Sequence, residues 1–227
     1  MKTYDELKEL HGKRYAEIFE HTQKPFRLER LIPYMKISRQ DKAVDFACGS
    51  GMLMEHIAPL VQSYVGVDFS EPFIAIANAK KNTLSITNAM FECSSIQEFC
   101  VRYRNTFDIA FAMDLSEHVY DKEWLAILRS IRASLVNGGR CYLHTPNGQF
   151  FLEVMKAHNF IVKQFPEHVA VRTIEANVLL LQEAGFRVSK ALLMPHYNML
   201  RFLHPLSFVP LIGGYLKARI FIEAISL

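Results

Sequence analysis

No C-x-x-C pair occurs among the four cysteines, Cys48, Cys93, Cys100 and Cys141. They read as reduced, mostly buried thiols of a cytoplasmic protein. No uninterrupted apolar run is long enough to cross a bilayer as a helix. Residues Met1 to Tyr15 are polar and charged, which predicts no signal peptide. No run of Lys or Arg exceeds two residues, and no strand interleaves aromatic with basic positions. Both absences argue against a nucleic-acid partner. Internal repeats and low-complexity tracts are missing too, and no pattern specifies an oligomeric state.

What is there is a chain of 227 residues, half of them apolar, enough for one α/β domain with a small elaboration. The net charge of +3 is unevenly spread. Residues Met1 to Gln40 hold nine Lys/Arg against six Asp/Glu, and Arg187 to Leu227 hold five against one, so the middle is acidic.

The acidic middle opens with Val44-Asp45-Phe46-Ala47-Cys48-Gly49-Ser50-Gly51, followed by Val65-Gly66-Val67-Asp68. An apolar strand ends in an acid and a glycine-bearing turn, and a second strand ends in an acid seventeen residues after Gly51. In a doubly wound sheet such a turn lets the backbone approach a nucleoside, and the second carboxylate accepts hydrogen bonds from its ribose. A pyrophosphate-binding turn needs a third glycine, and Met52-Leu53-Met54 stands there instead. The pair of motifs resembles the D/E-x-G-x-G-x-G site of class I S-adenosylmethionine-dependent methyltransferases, with Ala47 in place of the first glycine. Ala tolerates most turn conformations but not a positive φ. The resemblance implies a cofactor site built from Asp45, Ala47, Gly49, Gly51 and Asp68. It adds Phe69 against the adenine, Ser94 and Ser95 at its edge, and Met113 at the end of the fourth strand.

Periodicity and turn signals predict helices over Tyr4 to Phe19 and Phe26 to Met35, then alternating strands and helices. Strands are expected at Lys42 to Phe46, Ser63 to Val67, Asn88 to Cys93, Phe107 to Met113, Arg140 to His144, Arg187 to Met194 and Ala218 to Ile225. Helices are expected at Met52 to Ala58, after Ser70 as N-cap, over Lys122 to Leu135 after Asp121, and over Thr173 to Glu183. Asn137-Gly138-Gly139 reads as the stop of the third of these. The expected architecture is an α/β, doubly wound, seven-stranded and mostly parallel sheet with an antiparallel last strand. Residues 1–40 would be helices over the cleft, and residues 41–227 the core.

After the fourth strand comes Asp114-Leu115-Ser116-Glu117-His118-Val119-Tyr120-Asp121. This resembles the E-V-L-E-H-V-x-D segment of ubiquinone-biosynthesis O-methyltransferases and their relatives, with Asp114 for the first Glu. Methyl transfer from a sulfonium is an in-line displacement, so the enzyme must hold the methyl acceptor and remove its proton. His118 is a candidate base, because an imidazole titrates near neutrality, and Glu117 is its neighbour. The same cluster, Glu117, His118 and Asp121, is a candidate site for Mg²⁺ or Zn²⁺. His168 and Arg172, in the segment before the helix at Thr173, are second-rank substrate contacts. Helix-start capping and surface charge are the plainer account of both. His144 reads as a strand-end histidine with its ring in the core, and Asn147 as the holder of an Asx turn.

The segment Tyr197 to Leu216 is longer than a hairpin needs, and twelve of its twenty residues are apolar. It reads as an apolar lid for a lipid-like acceptor or as a peripheral membrane contact, with Arg201, Lys217 and Arg219 toward headgroups; core extension or a subunit contact is the plainer account. The expected activity is transfer of a methyl group from S-adenosylmethionine to a small, apolar acceptor, O-methylation being favoured. A non-catalytic S-adenosylmethionine-binding protein and a protein or RNA methyltransferase are the rivals. The second is weakened by the absence of D/N-P-P-Y after the fourth strand.

Overall fold

The computed structural model describes residues 26–158, 163–165, 167–195 and 205–227. The helix expected over Tyr4 to Phe19 and residues 197–204 of the apolar segment lie outside them. In chain order the elements are α1 (Phe26–Glu29), β1 (Lys42–Phe46), α2 (Met54–Ile57), β2 (Ser63–Asp68), α3 (Glu71–Thr83), β3 (Ala89–Cys93) and α4 (Ile96–Arg102). There follow β4 (Phe107–Met113), α5 (Asp121–Ser134), β5 (Leu135–Pro146), α6 (Phe151–Ala157), α7 (Ile174–Glu183), β6 (Phe186–Met194) and β7 (Arg219–Ser226). The seven strands make one sheet in the order β3-β2-β1-β4-β5-β7-β6. β1 and β3 flank β2 in parallel, in registers that set Val44 opposite Val65 and Val65 opposite Met90. β7 runs antiparallel to β6, with Ile222 opposite Ala191. The expected α/β sheet with its antiparallel last strand is therefore what the chain forms.

Four local expectations are corrected. The single helix over Phe26 to Met35 is α1 plus a separate 3₁₀ turn at Ile32–Tyr34, because Pro33 has no N–H to continue an α-helix. β5 starts at Leu135, five residues before the expected Arg140, and runs through Asn137-Gly138-Gly139. Gly138 takes φ +79° within the strand, so the glycine pair bends a strand rather than ending a helix. Ser70 sits at the N-cap of α3, but its side chain makes no capping bond. Ser95 is the working cap of an unanticipated helix, α4: its Oγ accepts from the Glu98 N–H at 3.2 Å and donates to Glu98 Oε2 at 2.8 Å. The signal was there, since Ser95-Ile96-Gln97-Glu98 is a capping box.

The chain divides into two compact units. The first, up to Phe111 with Ser130–Arg140, is built on aromatic packing. Phe99 stacks on Tyr103 and Phe107 and meets Phe46 edge-on, the three ring centroids lying 4.4–6.0 Å from that of Phe99. The second, Ala112–Arg129 with Cys141–Leu227, buries Trp124, Leu128, Tyr142 and Phe221, the last two stacked at 5.9 Å. Cys48, Cys100 and Cys141 are buried and Cys93 is exposed. Burial pushes the Cys100 and Cys141 thiols up to about 12, so both behave as small apolar core residues.

In the first unit, glycine is required where β2 passes under the turn after β1. A Cβ on Gly66 would lie 2.4 Å from the Phe91 ring and 2.9 Å from Cys48 Sγ. Phe91 is itself packed edge-on against Tyr64, so the ring has nowhere to go. Gly66→Ala is expected to destabilise the protein by about 1–3 kcal/mol through overpacking. Phe91→Leu in the same chain should return much of that loss, and additive losses in a denaturant series would rule this packing out.

Candidate active site

The turn after β1 is shaped by left-handed residues at every second position, Ala47 at φ +56°, Gly49 at +52° and Gly51 at +71°. Ala47 thus adopts the positive φ that an alanine side chain disfavours. Single left-handed residues cost about 1–2 kcal/mol outside glycine, and the neighbouring bonds hold this one in place. Cys48 N–H donates to the Val67 carbonyl at 3.1 Å and Gly51 N–H to the Cys48 carbonyl at 3.0 Å. Gly49 N–H donates to Asp68 Oδ2 at 3.0 Å.

Asp68, 7 % exposed at the end of β2, also accepts from Ser70 N–H through Oδ1 at 2.9 Å. Each carboxylate oxygen has a second lone pair, so the carboxylate can still accept from a ribose. Asp45 is fully enclosed on β1 and accepts from Tyr64 Oη at 2.6 Å. Burial pushes its carboxyl up to about 7, the Tyr64 hydrogen bond works against that, and the charge of Asp68 adds to it. Phe69 is half-buried. Ser94 N–H donates to the Asp68 carbonyl at 3.0 Å, so Ser94 stands beside the Asp68 turn. The Ser95 hydroxyl is occupied in capping α4. Asp45, Ala47, Gly49, Gly51, Asp68, Phe69, Ser94 and Ser95 all belong to the first unit. Its donor set suits a nucleoside with ribose hydroxyls: a carboxylate at the end of β2, backbone brought close by glycine, and an aromatic ring at the rim.

The remaining candidates belong to the second unit. Met113 is half-buried at the end of β4. Asp114 follows at φ +54° and is held by Arg219 and by His144, whose Nδ1 lies 3.5 Å from Asp114 Oδ1. Arg219 is buried at 8 % exposure, so it does not face a headgroup as expected. Nothing in the sequence pairs positions 114 and 219; only the strand order does. His144 is a core histidine, and Asn147 Oδ1 accepts from Gln149 N–H at 3.1 Å in the expected Asx turn.

Glu117, His118 and His168 come together. One ligand atom from each lies within 4.8 Å of the other two, and the two imidazoles meet edge-on at 5.1 Å. Glu117 is buried, and its Oε2 accepts from the Thr145 hydroxyl at 3.0 Å. Its backbone carbonyl accepts from Val169 N–H at 2.9 Å and Ala170 N–H at 3.1 Å, tying the two segments together. His118 Nδ1 lies 3.1 Å from the Glu167 carbonyl. A carbonyl can only accept, so the proton sits on Nδ1 and the lone pair on Nε2, the form a base or a metal ligand needs. Burial lowers the His168 pKa, and its Nδ1 has no hydrogen-bond partner among the described residues.

Asp121 is not in this cluster. It is largely exposed, and its carboxylate takes Arg172 Nε at 2.8 Å. Arg172 is correspondingly not a substrate contact. It is 6 % exposed and also donates to the carbonyls of Val119, at 2.7 Å, and Ala170, at 3.2 Å, clamping the loop that carries Glu117 and His118. A cavity of about 270 Å³ opens beside His168, lined also by Gly148, Glu153, Lys156, Gln164 and Val171. Glu153 and Lys156 pair across its wall at 2.7 Å.

Residues 18–191 match the family described as "Methyltransferase domain". The chain belongs to this family and is an S-adenosylmethionine-dependent methyltransferase. The ubiquinone biosynthesis O-methyltransferase of Histophilus somni is 28% identical over 191 residues, covering 79% of this chain and 78% of that protein. The fold is shared with an S-adenosylmethionine-dependent methyltransferase from Mesorhizobium loti, with a TM-score of 0.63 and 14% identity over 87% of this chain and 96% of that one. It is shared too with the geranyl diphosphate C-methyltransferase of Streptomyces coelicolor, solved with Mg²⁺, geranyl diphosphate and S-adenosyl-L-homocysteine. There the TM-score is 0.67 and the identity 14%, over 95% of this chain and 83% of that one.

Proposed function

We propose that this methyltransferase methylates a hydroxyl group on a small, lipid-like molecule. The reading is carried by the Glu117–His118–His168 cluster, in which His118 holds its basic nitrogen ready while Glu117 is anchored by Thr145. The 28% likeness to an O-methyltransferase supports oxygen as the methylated atom. S-adenosylmethionine, when bound, would supply the methyl group from its sulfonium, with the neutral thioether as the leaving group. Asp68 would accept from its ribose, the turn at Gly49 to Gly51 would admit its backbone contacts, and Phe69 would lie against the adenine. His118 Nε2 takes the proton that the hydroxyl loses, and Glu117 and His168 orient the hydroxyl. The cavity beside His168 holds the polar end of the methyl acceptor.

A second reading gives the same three side chains to a divalent cation, with His168 replacing Asp121 as the third ligand. The orphaned Nδ1 of His168 favours it, as does the carbonyl that orients His118. Such an ion would bind the acceptor oxygen and lower its pKa.

Calorimetric titration of S-adenosylmethionine tests the cofactor half. Asp68→Ala is expected to weaken binding by about 1.5–3 kcal/mol, because a charge-assisted hydrogen bond to ribose is lost and Gly49 N–H is released. Affinity unchanged in that variant would remove Asp68 from the site.

A further inference from the structure

We propose that residues 205–216 are a membrane-docking tip and that their partner is the surface of an anionic bilayer. The segment presents Leu206, Phe208, Val209, Leu211, Ile212 and Tyr215 to solvent, Phe208 at 73% and Leu211 at 99% exposure. These side chains are held outward by a tight backbone. Val209 N–H donates to the Leu206 carbonyl at 3.1 Å, Gly213 N–H to Val209 at 2.9 Å and Tyr215 N–H to Ile212 at 3.1 Å. Ser207 is buried beneath, and a Cβ on Gly213 would lie 2.1 Å from its carbonyl. Leu211 takes φ +71°, a costly backbone for leucine, at the most exposed point of the turn. A soluble surface rarely concentrates large apolar side chains this way without a partner.

Charge selects the partner. Between Glu183 and Glu223 the sequence has no Asp or Glu; of its five Lys/Arg, Arg219 is buried against Asp114 and Lys190 faces Glu223. Lys217 Nζ stands 6.0 Å from the Phe208 ring centre, so a cation sits at the edge of the apolar tip. Exposed apolar side chains with a lysine at their edge and no acid in the surrounding sequence suit the acyl–headgroup boundary of anionic lipid. Among the described residues no helix is long and apolar enough to cross a membrane, so the contact is interfacial. The surface deepens the proposed function, since a lipid-like methyl acceptor is met at a bilayer, and it rests on that reading for its purpose.

Flotation of the full chain with vesicles of phosphatidylglycerol and phosphatidylcholine tests the proposal. The protein is expected to float with the anionic vesicles at low salt and to be released as salt rises. Leu211→Asp and Phe208→Asp should each cut the bound fraction roughly tenfold or more, and Lys217→Glu about fivefold or more. These side chains are exposed, so cofactor titration should be unchanged in all three variants; Leu211→Ser serves if an Asp variant fails to fold. Three results would overturn the proposal: wild-type protein left in the soluble fraction, flotation indifferent to Leu211→Asp, or a wild-type dimer without lipid affinity that Leu211→Asp dissociates. Each leaves the methyltransferase reading standing, because that reading is judged by the cofactor titration.

Discussion

His118→Ala is expected to lower turnover by roughly 10²–10⁴-fold, the contribution of a general base, while S-adenosylmethionine affinity stays near wild type. The expectation follows from the tautomer. The Glu167 carbonyl fixes the proton on Nδ1, which leaves the lone pair on Nε2, and the ring stands edge-on to His168. His118→Gln keeps a side-chain donor for that carbonyl without supplying a base, and should be nearly as inactive. Near wild-type turnover in both variants would take His118 out of the chemistry. The cation reading separates on a different axis. Activity lost in EDTA and restored by Mg²⁺ or Zn²⁺, together with metal binding that falls in His168→Ala, would favour it. An EDTA-insensitive enzyme with a bell-shaped pH profile would favour the base.

The turn after β1 and its bond to Asp68 are legible in the sequence because their parts are local. A strand end, a glycine turn and a second strand end are contiguous in sequence, and Asp68 reaches Gly49 across only nineteen positions. Strands β1, β4 and β7 were legible for a similar reason, since each is bounded by its own turn or polarity change. Ala47 shows the limit of local reading. Its residue type argues against a positive φ, and the bonds from Cys48, Gly49 and Gly51 override that preference. Asn137-Gly138-Gly139 shows the same limit in the other direction: strong turn chemistry is absorbed into a strand by the sheet.

The cluster of Glu117, His118 and His168 is legible as residue types and not as geometry. Each residue type stands out on its own, but their union depends on bonds between positions 117 and 169–170 and on the Glu167 carbonyl, about fifty residues away. Asp121 was drawn into the cation set by proximity in sequence, and Arg172 claims it in space. The role of Arg172 as a clamp has no local signal, because it also donates to the carbonyls of Ser116 and Val119, more than fifty positions earlier.

Asp45 is expected to contribute a stabilisation to the cofactor-free protein that falls as pH rises from about 4 to about 8. Its carboxyl is enclosed on β1, and burial pushes it up to about 7 against the bond from Tyr64. In the unfolded chain the same group titrates near about 3.9. Between those values the folded state keeps a proton that the unfolded state has lost. The stabilisation is therefore complete below about pH 4 and disappears as pH rises through about 7. Three pH units correspond to about 4 kcal/mol as an upper figure for this one group. Asp45→Asn keeps an acceptor for Tyr64 and removes the titration. It is expected to be more stable than wild type by about 2–4 kcal/mol at pH 8 and similar at pH 4. A cation arriving near Asp45 and Asp68 would favour the ionised form, so cofactor binding near pH 6 should release protons in wild type and fewer in Asp45→Asn. Denaturant titrations at pH 5, 6, 7 and 8 measure the slope, and calorimetry in buffers of different ionisation enthalpy measures the protons. Parallel stability profiles for the two proteins would show that Asp45 is ionised in the fold, and that the turn after β1 carries its charge before any cofactor arrives.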